Sequence, residues 1–214
     1  MRSIRILALL LALAGPACGR EDWRGLVQWS TTAGLSDTLA FSTLDEAYFR
    51  HDARDDYTYD AYFTLTRQMG GGVALFGQYL VAALEPENGS WATAEWADGG
   101  VSWTTDLPYV GRLRLQERVY ARLDSPAGWD HHRPRVYLIR PFGDWTLTVS
   151  DEVRFDLSGD RAQDLFRNRV FVTAGWKATD LLSLGVGIFR NWDHEDDGHW
   201  SAWNGVQTVI TVTL

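Results

Sequence analysis

The chain has 214 residues, a single cysteine and a net charge of −8, with eleven Trp and eight Tyr. The negative balance argues against nucleic acid as a partner, because phosphate binding needs a basic surface, and the lone Cys18 excludes an intramolecular disulfide. A mean hydropathy of −0.22 fits no bundle of membrane helices, but it does not exclude a membrane β-barrel, where half of each strand faces a polar lumen.

Arg2 and Arg5 precede an apolar run from Ile6 to Ala14 and then small residues, the pattern of an export signal. The run is too short to span a bilayer as a helix. Residues 1–19 are therefore expected to be a signal peptide, cleaved after Ala14, Ala17 or Gly19, and 20–214 a single outer-membrane β-barrel domain. Cys18 ends a Gly-Pro-Ala-Cys segment that loosely resembles a lipidation motif, although Pro16 counts against it.

From Gly25 to Leu214, about ten residues of polar–apolar alternation are followed by a turn, again and again. The alternation is plain in Thr146-Leu147-Thr148-Val149-Ser150 and in the final run from Thr208 to Leu214, and a period of two sends successive side chains to opposite faces of a strand. Strands of soluble domains usually stop after about five or six residues, whereas a tilted strand crossing a bilayer needs roughly nine to eleven. The predicted strands are 25–34, 39–50, 57–67, 73–84, 92–104, 112–123, 133–141, 145–157, 165–177, 181–192 and 201–214. Bacterial single-chain barrels usually have an even number of strands, so an antiparallel up-and-down barrel of 12 strands is expected, with 10 as the second choice. Asp98-Gly99-Gly100 could divide the fifth segment with a turn.

The connections alternate in kind. Short turns fall at 35–38, 68–72, 142–144 and 178–180, and longer polar ones at 51–56, 85–91, 124–132, 158–164 and 193–199. Membrane barrels have short periplasmic turns and longer external loops. Trp91, Trp103, Trp145, Trp176, Trp192 and Trp200 stand at or near strand ends, where the aromatic girdles of such barrels lie.

In 112–123 one face carries Arg112, Arg114, Gln116, Arg118, Tyr120 and Arg122, and the other Leu113, Leu115, Val119, Ala121 and Leu123. Arginine on a lipid face at mid-depth costs roughly 2–4 kcal/mol, so the arginine face must look into the lumen. Strand 145–157 repeats the division with Thr146, Thr148, Ser150, Glu152, Arg154 and Asp156 inward, and 165–177 with Arg167, Arg169, Thr173 and Lys177. Glu117 and Asp151 fall on the apolar rows, and a β-bulge turning each inward is expected there.

The run Arg112-Leu-Arg114-Leu-Gln-Glu117-Arg118-Val-Tyr-Ala-Arg122, followed by Ser150-Asp151-Glu152-Val-Arg154-Phe and Phe166-Arg167-Asn168-Arg169, resembles the signature of a bacterial family known as domain of unknown function twenty-four ninety. The resemblance extends over nearly all of the chain after the leader, including Gln28-Trp29-Ser30. It implies a signal-bearing outer-membrane barrel of Gram-negative bacteria and no established chemistry.

The lumen charges Arg114, Arg118, Arg122, Glu152, Arg154, Asp156, Arg167 and Arg169 form the candidate site. They either bind a small anionic solute, since arginine forks match carboxylates and phosphates, or pair with one another and with Glu46 to fill a narrow lumen. A barrel of this size favours the filled lumen. Outer-membrane lipid and the barrel assembly machinery are the expected partners, and no cofactor, metal or catalytic residue is expected. Asp193-His194-Glu195-Asp196-Asp197-Gly198 imitates the opening of a calcium loop but has Asn204 where a bidentate Glu is required. The alternative is an outer-membrane hydrolase acting on lipid or peptide, with an Asp/His site at the rim drawn from His51-Asp52, Asp55-Asp56, Asp130-His131-His132 or Asp193-His194. That reading requires a histidine within reach of both a carboxylate and a serine.

Overall fold

The computed structural model describes residues 23–50, 55–84, 91–124, 129–157, 165–194 and 198–214. They form strands β1 (Trp23–Gly34), β2 (Leu39–Arg50), β3 (Asp55–Gly70), β4 (Val73–Leu84), β5 (Ala92–Leu107), β6 (Gly111–Arg122), β7 (Trp129–His132), β8 (Arg135–Phe142), β9 (Trp145–Asp156), β10 (Leu165–Lys177), β11 (Leu182–His194) and β12 (Trp200–Thr213). Apart from β7 and β8, each strand is antiparallel to its sequence neighbours, and β12 pairs with β1, which closes the sheet into a barrel.

The barrel has eleven staves, because β7 and β8 lie end to end between β6 and β9. Val119↔His132 and Gln116↔Arg135 belong to one register, and Arg133 N donates to Arg118 O across the gap. Pro134 accepts from Val153 N but has no N–H to give, so the ladder is interrupted without a change of register. The expectation of twelve strands is thus corrected to eleven. With an odd number of alternating strands the first and last run the same way, and β1 and β12 pair in parallel from Trp23↔Asn204 to Thr32↔Thr213. β5 runs unbroken through Asp98-Gly99-Gly100, and the connection expected over 124–132 is shortened by β7.

Following paired residues round the wall from Thr31 through Thr43, Phe63, Tyr79, Ala97 and Ala121 climbs from one barrel end to the other, so the strands are strongly tilted. Short connections gather at one end, the turn end, and long ones at the other, the loop end. Gly70, Gly71 and Gly72 take the tight β3–β4 turn with φ of 88°, 61° and 79°, which glycine adopts without the Cβ clash of other residues.

The wall inverts the usual soluble arrangement. Val27, Phe63, Leu75, Val101, Val136 and Val186 are exposed on the outside, whereas Glu46, Asp98, Gln116, Glu152, Arg169 and Asn191 are buried inside. Exposed aromatics mark both ends, with Trp145 stacked on Trp176 at 6.3 Å and Trp103 at the turn end, and Tyr59 beside Trp91 at 5.4 Å at the loop end. The apolar core is small and internal: Leu26, Tyr48, Phe171, Phe189 and Trp203 on one side, and Tyr62, Leu80 and Tyr120 on the other.

The bulges expected at Glu117 and Asp151 are absent, since both residues keep the register of their neighbours. Both stay on the outer face, where Glu117 Oε2 lies 2.7 Å from His132 Nε2 and Asp151 Oδ1 accepts from Asn168 Nδ2 at 2.8 Å. A bulge would leave a residue unpaired in the ladder. A polar neighbour on the same face satisfies each carboxylate without that loss.

Candidate functional site

The alternating pattern sends an unusual set of polar side chains to one place, the middle of the lumen. Glu46, from β2, accepts from Gln28 Nε2 at 2.5 Å, Tyr48 Oη at 2.9 Å and Tyr62 Oη at 3.1 Å. Across the barrel, Arg118 from β6 reaches Asp98 Oδ2 of β5 at 2.7 Å and donates to Gln78 of β4. Glu152, from β9, has no exposed side-chain surface and stands against three guanidiniums, those of Arg133 (2.5 Å), Arg154 (3.2 Å) and Arg135 (3.5 Å). These groups form a layer that divides the interior into two chambers. Each buried carboxylate of the layer faces at least one hydrogen-bond donor or guanidinium, which offsets much of the cost of its burial.

The turn-end chamber is the larger, about 880 Å³, and its lining is mostly uncharged and polar: Ser30, Ser42, Thr64, Thr66, Ser102 and Gln116 among others, with Arg114, Arg118 and Arg135. The loop-end chamber, about 360 Å³, is different in kind. Arg24, Arg133, Arg154, Arg167 and Arg169 line one side together with His131, and the other side carries Tyr62, Leu80, Ala82, Leu84 and Trp96. Asp60, to which Tyr62 Oη donates at 3.2 Å, is the carboxylate among its described lining residues. Two further groups hold the arginines in place. Asp193 accepts from Arg167, from Asn191 Nδ2 at 2.5 Å and from Trp203 Nε1 at 3.0 Å, and Arg169 Nε donates to Asn191 Oδ1 at 3.0 Å.

The sequence-predicted residues are spread over several positions. Glu152, Arg154 and Arg169 meet in or beside the loop-end chamber with Arg167, and Arg118 belongs to the dividing layer. Arg114 lies apart from them in the turn-end chamber, 5.3 Å from the ring of Tyr137. Arg122 sits at the loop-end rim, more than a third exposed, and pairs with Asp124 at 2.7 Å. Asp156 is half-buried at the end of β9. Arg24, Arg133, Arg135 and Asp193 were not part of the predicted set. Arg133 and Arg135 lie two residues apart at the start of the predicted strand 133–141, so their common face was readable, but no inward row was assigned to that strand. Asp193 was assigned to the external loop, whereas it is the penultimate residue of β11 and the last that faces inward.

Asp193 is also the first ligand position of the calcium-loop imitation, and its carboxylate is already committed inside the lumen to Arg167, Asn191 and Trp203. Residues 195–197 lie outside the described set, and among the described residues no group of three or more metal-ligating side chains converges.

Of the histidine pairs, His51-Asp52 lies outside the described residues. His131 Nδ1 is 3.1 Å from Asp130 Oδ2, with its ring stacked on Tyr120 at 4.3 Å, and its Nε2 is buried and meets no hydrogen-bonding group. Among the described residues no serine completes a relay at His131. His132 faces outward to Glu117, and His194 packs against Trp200 at 5.1 Å. The described histidines are thus dispersed, with His131 in the lumen and His132 on the outer face.

A family model described as a protein of unknown function (DUF2490) matches residues 28–202. No curated protein matches the chain.

Proposed function

We propose that this chain, which belongs to the DUF2490 family of proteins of unknown function, is a non-enzymatic β-barrel of the bacterial outer membrane whose lumen is closed by a charged layer. One observation carries the reading: the wall is apolar where it is exposed and charged where it is buried. Such a division needs a solvent outside that favours Val, Leu and Phe, and lipid is that solvent. Strands of twelve to sixteen residues over most of the wall, and exposed Trp at both ends, fit the thickness and the interfaces of a bilayer. The amino-terminal leader pattern would deliver the chain across the inner membrane, and the assembly machinery would insert it.

A layer of Glu46, Asp98, Arg118, Arg133 and Glu152 stands between the two chambers, so the expected role is structural or retentive, with at most slow passage of solutes. The membrane assignment is tested by fractionation and by heat-modifiable migration on a gel. The protein is expected in outer-membrane fractions, migrating faster unheated than boiled. Recovery of the mature chain as a soluble periplasmic protein without detergent would end this reading.

A further inference from the structure

The loop-end chamber has walls of opposite character. β1, β9, β10 and the joint before β8 bring Arg24, Arg154, Arg167, Arg169 and Arg133 to one side. β4 and β5 bring Leu80, Leu84 and Trp96 to the other, and β3 adds Tyr62 and Asp60 there. Among the described residues Arg24, Arg133, Arg154, Arg167 and Arg169 outnumber the carboxylates beside them, Glu152, Asp60 and Asp193, and the single charge of Glu152 is shared by Arg133, Arg135 and Arg154. Arg169, only 4% exposed, has its Nε bond to the neutral amide of Asn191. Arg133 Nε is buried with no hydrogen-bonding partner. Several guanidiniums crowded in a low-dielectric interior repel one another, and the arrangement is relieved by a bound anion. A group that only plugs a barrel is expected to be internally neutral and fully paired.

We propose that the loop-end chamber is a binding site for a small organic anion: one phosphate or carboxylate head held by Arg133, Arg154 and Arg169, and a compact apolar or aromatic body against Leu80, Leu84 and Trp96. Arginine forks suit such heads because they donate in pairs to planar or tetrahedral oxygens. The volume, about 360 Å³, suits a ligand the size of a substituted benzene ring with its head group. The dividing layer forms the floor, so the site retains its ligand instead of passing it. The inference rests on the closed lumen and is independent of what surrounds the barrel.

Phenyl phosphate is the probe, read by the fluorescence of Trp96 and Trp203, both of which line the chamber. In the refolded full-length protein it should quench saturably, compete with inorganic phosphate and lose affinity as salt is raised. Benzyl alcohol, which has the ring without the charge, should not saturate. Arg169→Gln should weaken binding at least tenfold, and Arg114→Gln, in the other chamber, should leave it unchanged. No saturable quenching, equal quenching by benzyl alcohol, or unchanged affinity in Arg169→Gln would overturn the proposal. If Arg169→Gln does not refold, the comparison of the two probes on the unaltered protein still decides. Fractionation tests the membrane reading separately: a soluble protein that binds phenyl phosphate would refute that reading and uphold this one.

Discussion

Arg118 shows what a single side chain does in the dividing layer. Its guanidinium is mostly buried and its partner Asp98 has no exposed side-chain surface. Removing the arginine leaves a carboxylate in the interior without its counter-charge, which costs on the order of 3–5 kcal/mol for a well-shielded pair. Arg112 and Asp106, 3.3 Å apart and both more than half exposed, make the natural contrast, since exposed pairs contribute roughly 0–1 kcal/mol. Arg118→Ala is therefore expected to lower the unfolding temperature in detergent far more than Arg112→Ala. Replacing Asp98 by Asn in the same chain should recover part of the loss, because the two residues share one interaction. Small, equal effects from both arginines would mean that water fills the lumen at the depth of Asp98.

At the scale of the element, the parallel seam between β12 and β1 is the least ordinary part of the wall, and it depends on close approach. Gly205 pairs with Arg24 across the seam and faces the ring of Phe189, whose Cε1 atom would lie 2.5 Å from an added Cβ. The backbone oxygen of Arg24 would be 2.9 Å away. Phe189 is itself held between Phe171 and Trp203, at 5.3 Å and 5.4 Å, so it has little freedom to retreat. Overpacking of this kind typically costs about 1–3 kcal/mol. Gly205→Ala should destabilise the barrel by that amount in a denaturant titration, while Gly34→Ala, with nothing within 4 Å of its added Cβ, should stay within error of the parent. A neutral Gly205→Ala would show that the seam opens or shifts in solution.

For the whole molecule, the consequence of the layered interior is a barrel with two chambers and a floor between them. Glu46, Gln78, Asp98, Arg118, Arg133, Arg135 and Glu152 come from six different staves, so no single strand can move to open a path. Reconstituted in a planar bilayer, the protein is expected to show no steady conductance with either chloride or potassium as carrier. A stable anion-selective current would mean that the layer parts under voltage, and the arginines would then line a pathway.

The sequence alone determined which residues alternate, and hence the all-β class, eleven strand segments with ends good to a few residues, and the inward rows of β6, β9 and β10. These are local properties: a period of two within a strand, and the cost of putting arginine against lipid, are both readable along the chain. The sequence did not determine the strand count by itself, because an even number was inferred from other barrels and β7 was read as part of the loop over 124–132. Only closure decided that, since parallel pairing of β1 with β12 depends on the direction in which the last strand returns. The grouping of the charges was likewise a tertiary matter. Arg24, Arg133, Arg154 and Arg169 are far apart in the chain, and it is the tilt and register of the staves that bring them to one chamber while setting Arg114 in another. Glu117 and Asp151 make the same point from outside, because their partners, His132 and Asn168, lie on neighbouring strands and no pattern within one strand could supply them.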